Sequence, residues 1–263
     1  MKRLLITTIF VLFGVGLWAV PNDTSKTVKL ELRGGAGYGL YRDLGLSPLT
    51  YKGIELLPGM AVQVSEARWR RRYFVDLDGG GYGLRVGVGY MQAYGGYCMV
   101  GVEELCRVLD RGVWSVWGGG SVRESFDFRY NNSFGNSSTG MTNCAALGLA
   151  GRVECELGRW RLHGQVDLLP LALLLRPGFA YMDNYDQDIS SATANALDQY
   201  HSYVSGLPGV DCDFGATLGL RNGNGVTIGY VWHFFTSHTS GEAAPYSFEQ
   251  ASHGLRVILN FKI

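Results

Sequence analysis

The sequence predicts an all-β protein, an antiparallel barrel threaded through a lipid bilayer, and three observations carry that expectation. Leu255, Val257, Leu259, Phe261 and Ile263 alternate with Gly254, Arg256, Ile258, Asn260 and Lys262 to the end of the chain. The same two-residue period runs through Val28 to Tyr38 against Lys29, Glu31 and Arg33, and through Val210 to Leu220 against Asp211, Asp213 and Arg221. A strand with one apolar and one polar face belongs at a boundary between greasy and wet surroundings, and its repetition is the signature of a membrane barrel. The gaps between such segments alternate short and long, as expected of tight turns on one side of the membrane and larger loops on the other. Strands of a dozen or more residues exceed the usual five or six of a soluble sandwich, the rival all-β reading.

The elements follow in order. Lys2 and Arg3 precede the apolar run Leu4 to Val20, with Leu17-Trp18-Ala19 as a cleavage site, so residues 1–19 read as a signal peptide and 20–263 as the barrel domain. Thr27 to Tyr41 forms the first strand and Arg42 to Gly53 a loop. Ile54 to Ala67 returns with Leu56, Met60, Val62 and Val64 on one face; Pro58 falls on that face and predicts a bulge or an interrupted ladder. The basic cluster Arg68 to Arg72 is expected to make a turn into Tyr73 to Gly83. Glycines and aromatics blur the next stretch, where one strand is placed near Tyr97 to Val108.

After the turn Leu109 to Gly112, Val113 to Tyr130 sets Trp114, Val116, Val122, Phe126 and Phe128 against Arg123, Asp127 and Arg129. Asn131 to Thr142 reads as a solvated loop and Asn143 to Leu157 as a strand. From the turn Gly158-Arg159, Trp160 to Leu175 places Leu162, Val166, Leu168, Ala172 and Leu174 on one face. Arg176 to Leu207 is the longest gap. Val210 to Arg221 turns at Asn222-Gly223-Asn224-Gly225, a strong hairpin signal, into Val226 to His238, and Thr239 to Ala251 leads to the closing strand. The total is about ten strands, with eight or twelve fitting the same pattern.

With these features and the ending His253 to Ile263, the chain resembles small outer-membrane β-barrel proteins of Gram-negative bacteria. That resemblance implies location in the outer membrane, contact with its lipid, and assembly by the barrel-assembly machinery. This machinery commonly reads a terminal aromatic residue, whereas here Phe261 stands two residues before Ile263.

Composition narrows the function. With 23 basic and 23 acidic residues the net charge is zero, which gives no electrostatic footprint for nucleic acid. Cys98, Cys106, Cys144, Cys155 and Cys212 form no C-x-x-C pair, so zinc is not expected; Cys155 and Cys212 fall on lipid-facing positions as small hydrophobes. The acidic segment Asp183 to Asp188 lacks the glycine and glutamate of an EF-hand loop. No cofactor or metal is expected.

The charges Lys29, Glu31, Arg33, Glu55, Asp76, Asp78, Arg123, Asp127, Arg129, Arg152, Glu154, Glu156, Arg161, Asp167 and Arg256 are expected to face the lumen. In a ten-stranded barrel such side chains fill the interior as a paired polar core; a narrow pore lined by them is the alternative. Two catalytic comparisons stand beside this. His238 and Ser240, with Glu242 or Glu249, look like the acyl-ester-hydrolysing set of lipid A 3-O-deacylases, although Gly241 follows the serine. Asp76-Leu77-Asp78 and Asp211-Cys212-Asp213 resemble half of the omptin protease set, but the chain has no Asp-x-His. The expectation is a non-enzymatic barrel whose outer loops, above all Arg176 to Leu207, make its contacts, with a lipid A hydrolase and a narrow channel as alternatives.

Overall fold

The computed structural model describes residues 26–43, 47–86, 89–131, 138–177, 200–237 and 247–263. They form a closed antiparallel barrel of ten staves. Its segments are β1 (Thr27–Asp43), β2 (Ser47–Leu56), β3 (Gly59–Ser65), β4 (Trp69–Val86), β5 (Gly89–Arg111), β6 (Trp114–Asn131), β7 (Ser138–Leu157), β8 (Trp160–Pro177), β9 (Tyr200–Gly219), β10 (Gly225–Ser237) and β11 (Phe248–Lys262). β2 and β3 lie end to end as one stave, since both pair with β1 on one side and β4 on the other. The break falls at Leu57-Pro58, the site of the expected bulge, where the Leu57 amide donates to the Gly35 carbonyl and the Leu77 amide to the Pro58 carbonyl. β1 and β11 close the ring with an unbroken register from Lys29↔Lys262 to Asp43↔Phe248.

At three of the short turns a tryptophan opens the following strand on the outward face: Trp69, Trp114 and Trp160, each about half exposed. Gly112 and Gly158 adopt positive φ in two of these turns, the conformation that glycine tolerates without a Cβ clash. Above the tryptophans the outward face is apolar, with Ile54, Met60, Val122, Leu149, Ile228, Leu255 and Val257 exposed. A second aromatic tier follows in Tyr38, Phe126, Phe128, Tyr230 and Trp232. An apolar girdle between two aromatic rings is a surface that hydrocarbon solvates, and it places the barrel in an outer membrane.

The strands outrun that girdle. An 18-residue strand such as β6 is about 60 Å long and, tilted by roughly 40°, rises about 45 Å, against an apolar band of about 25 Å. The excess lies at the long-loop end, and several expected boundaries move with it. β1 continues to Asp43 and β2 begins at Ser47, so most of the expected loop Arg42 to Gly53 is strand; likewise β9 begins at Tyr200 and β11 at Phe248. The expected turn Arg68 to Arg72 is also corrected: the chain reverses at Glu66 to Arg68, the Glu66 amide donates to the Trp69 carbonyl at 2.7 Å, and Arg70 to Arg72 belong to β4.

One face assignment reverses. The sequence pattern puts Ala172 and Leu174 beside Leu168 on the outward face, yet both are buried inside, while Leu171 is 44% exposed. The cause is a bulge at Pro170, where the β8 to β9 register shifts between Leu169 and Leu171 and skips Leu207 and Pro208 on the partner. Proline has no N–H for the ladder, and the extra residue exchanges the two faces beyond it. In the sequence the run Leu168 to Leu175 hides the switch, because it is apolar on both faces.

Candidate functional site: the lumen

Every charge expected to face inward does so, and the lumen is organised in tiers along its axis. Nearest the short turns, Arg70 forks onto Glu154 through Nη1 to Oε1 at 2.7 Å and Nη2 to Oε2 at 2.9 Å. Arg152 shares that carboxylate through Nε at 2.8 Å and donates to Gln165 Oε1 at 3.1 Å. Arg70 also lies 4.3 Å over the Trp117 ring, with Arg107 at 4.8 Å. β4 supplies this guanidinium because its inward register, set by Asp76 and Asp78, runs back through Phe74, Arg72 and Arg70.

The middle tier is denser. Arg33 pairs with Glu31 and reaches Asp76 Oδ1 at 2.9 Å. Arg256 holds Asp213 Oδ2 at 2.6 Å, and His163 Nε2 lies 3.4 Å from its other oxygen. Asp211 pairs with both Arg123 and His233, its direct register partner across β9 and β10. Gln165 links Glu103 and Asp167. A cavity of about 140 Å³ remains here, and six carboxylates line it against three arginines.

Toward the long-loop end the filling becomes apolar. Cys144, Ala146, Leu169, Ala172, Leu174, Phe235 and Phe248 form one buried cluster, and Tyr41, Tyr51, Tyr82 and Ala93 another. Arg129 joins them, 4.7 Å over the Tyr41 ring and 5.1 Å over the Phe248 ring. Its guanidinium forks onto Asp127 at 2.9 Å and reaches Asp43 at 3.5 Å and Gln250 at 3.1 Å. Tyr82 donates to the buried Glu55 carboxylate at 2.6 Å.

These pairings decide what the carboxylates do. Of the carboxylates matched in sequence to half of a protease set, Asp76, Asp211 and Asp213 are each engaged by a guanidinium, whereas Asp78 lies against the Glu55 carboxyl group. The missing Asp-x-His is replaced across strands by Asp211 with His233 and Asp213 with His163. A guanidinium contact occupies the lone pairs of a carboxylate, which suits a structural anchor better than a base that must take up a proton. Of the hydrolase candidates only Glu249 falls among the described residues. His238, Ser240 and Glu242 lie outside the described residues, as does Asp183 to Asp188. Glu249 sits at the long-loop end of β11 on the outward register, paired with Arg42 at 2.9 Å. All five cysteines are free; Cys144 faces inward, while Cys155 and Cys212 take the expected outward register.

Sequence reasoning missed Arg70, Arg72, Glu103 and His233 as lumen residues. Parity alone would have found three of them: Arg70 and Arg72 share the register of Asp76, and His233 alternates with the outward Trp232.

No protein-family model and no curated protein matches the sequence. Among solved structures, the fold is similar to the outer membrane protease OmpT from Escherichia coli, with a TM-score of 0.55 and 7% identity over 93% of this chain and 98% of that one. The translocator domain of the autotransporter NalP from Neisseria meningitidis gives 0.46 and 10% over 98% and 97%. A major outer membrane protein from Thermus thermophilus gives 0.38 and 15% over 89% and 99%. At such identity the first likeness is one of fold, and the other two are more distant still.

Proposed function

We propose that this chain is a non-enzymatic outer-membrane barrel, closed to solute passage, that acts through the contacts of its long-loop end. The observation that carries the reading is the filling of the lumen. Around Arg129 the two apolar clusters meet across the axis, and beneath them Arg33, Arg123 and Arg256 are each tied to a carboxylate of another stave. Open aqueous channels belong to barrels of roughly 16 or more strands, whereas ten staves leave an interior that side chains fill. At the long-loop end β8 and β9 project beyond the girdle, so contacts made there lie clear of the membrane surface, where a partner can reach them.

Planar-bilayer recording of the refolded full chain tests the closure. The expected trace stays at baseline at all moderate voltages; reproducible unitary steps that survive purification of the folded species overturn it. Labelling of a single cysteine placed at Ser190 by an impermeant maleimide on intact cells tests the exposure of the loop end, and protection there would place that segment elsewhere.

A further inference from the structure

We propose that the short-turn mouth of the lumen binds a multivalent phosphate-bearing anion, held between Lys29, Arg70 and Arg161. The mouth opens into a vestibule of about 480 Å³, within the roughly 300–1,000 Å³ of small-molecule sites. Nine lysine and arginine side chains line it against five carboxylates. The imbalance is local, in a chain whose total charge is zero. It also reverses one tier higher, where carboxylates outnumber arginines two to one around the central cavity. An anion drawn into the mouth therefore meets a floor of like charge and stops, which is the field of a binding site and not of a conduit.

The donors at the mouth are not used up by their neighbours. Glu154 serves both Arg70 and Arg152, leaving one carboxylate between two guanidinium groups. Lys29 makes no ion pair among the described residues, and the charges acting on it are the cations Arg161 and Arg70 together with the carboxylates Glu31 and Glu154. The buried Nε atoms of Arg33, Arg70, Arg72 and Arg256 have no hydrogen-bond partner. Lys29, the free Nε of Arg70 and the Nη1 of Arg161, whose Nε and Nη2 are held by Glu156, match the several oxygens and multiple charge of a phosphate ester or pyrophosphate better than a single carboxylate. A free phosphate compound and a lipid headgroup of the surrounding leaflet offer the same chemistry.

Calorimetric titration of the refolded full chain in uncharged detergent, with inorganic pyrophosphate as the probe, tests this. Saturable binding is expected, weakened about tenfold for each cation removed, so that Lys29→Gln with Arg161→Gln lowers the affinity about a hundredfold. Arg71→Gln, on the outward face of β4 and paired with Glu104, leaves it unchanged. Heat-modifiable gel mobility confirms that each variant is folded. Repetition in nanodiscs separates the sources: phosphatidylglycerol, but not phosphatidylcholine, abolishes pyrophosphate binding if a lipid headgroup is the resident, and neither does if the ligand is free. Absence of saturable heat at millimolar probe, unchanged affinity in the double variant, or an equal weakening in Arg71→Gln overturns the proposal.

Discussion

Replacing Arg129 by methionine removes the guanidinium that, among the described residues, spans the upper lumen, and the structure sets the size of the effect. The side chain is 3% exposed, and its fork faces Asp127 while Asp43, itself 2% exposed, lies on its other side. Methionine keeps most of the volume but strands two buried carboxylates without that cation. Breaking a buried pair from one side costs about 3–5 kcal/mol. Removal of the two cation–ring interactions adds roughly 1–2 kcal/mol, less what the thioether recovers against Tyr41 and Phe248. Unfolding by denaturant in detergent micelles, followed by tryptophan fluorescence and gel mobility, should therefore show a destabilisation of about 4–6 kcal/mol. Adding Asp43→Asn and Asp127→Asn should return about half of it, because much of the cost lies in two buried carboxylates that have lost this cation. A single variant within about 1 kcal/mol of the parent, or a triple variant no better than the single, would refute the assignment of Arg129 as the buried tie between the two clusters.

Other predictions address the remaining features. Leu174→Ala empties a fully buried site beyond the Pro170 bulge and should cost about 2–4 kcal/mol, whereas Leu171→Ala on the outward face should cost about 1 kcal/mol; the reverse order in the same unfolding assay would restore the unswitched register. Ser240→Ala should leave the acylation pattern of lipid A unchanged by mass spectrometry, and a shifted pattern would favour the hydrolase built on His238, Ser240 and Glu249 instead. Arg70→Ala should destabilise by about 3–5 kcal/mol because Glu154 is buried beneath it, while Arg71→Ala, which faces outward toward Glu104, should cost at most about 1 kcal/mol.

The membrane part of this fold was legible because one side of each strand meets hydrocarbon and the other meets charge, so a period of two appears directly in the residues. β11 and β6 show it best, with Arg256 between Leu255 and Val257 and with Asp127 between Phe126 and Phe128. Legibility failed where that contrast vanished. The run Leu168 to Leu175 offers no polar residue to mark a face, so the bulge at Pro170 went unread. Three consecutive arginines offer no apolar one, and Arg70 to Arg72 looked like a turn although Arg71 alone points out. The ion pairs of the lumen were legible as residues but not as partners. Arg70 meets Glu154 across 84 positions and Arg123 meets Asp211 across 88, separations that only the ring closure supplies.

The most informative change along the axis is the inversion of the core. Within the girdle the inward residues are Arg33, Arg123, Asp213 and Arg256, and the outward ones are apolar; beyond it, Tyr41, Tyr82, Phe235 and Phe248 point inward while Arg42 and Glu249 pair outside. The same strands thus change over from the pattern suited to hydrocarbon to the pattern suited to water. Apolar side chains gain nothing by turning inward where lipid already surrounds the barrel, but they drive burial as soon as water replaces it. The crossover should therefore mark the membrane surface, near His253, which lies between Tyr38 and Tyr230 at ring distances of 6.3 and 6.0 Å. β11 provides a test with its own outward register. Val257→Arg lies well inside the girdle and should cost about 2–4 kcal/mol in lipid vesicles; Ala251→Arg, six residues and about 15 Å higher, should cost about 0–1 kcal/mol. In a micelle too thin to cover the upper aromatic tier the Val257→Arg penalty should shrink and the other stay small. Equal penalties at the two positions in vesicles would mean that lipid covers the whole height of the barrel, and the apolar clusters around Arg129 would then need a cause other than water outside them.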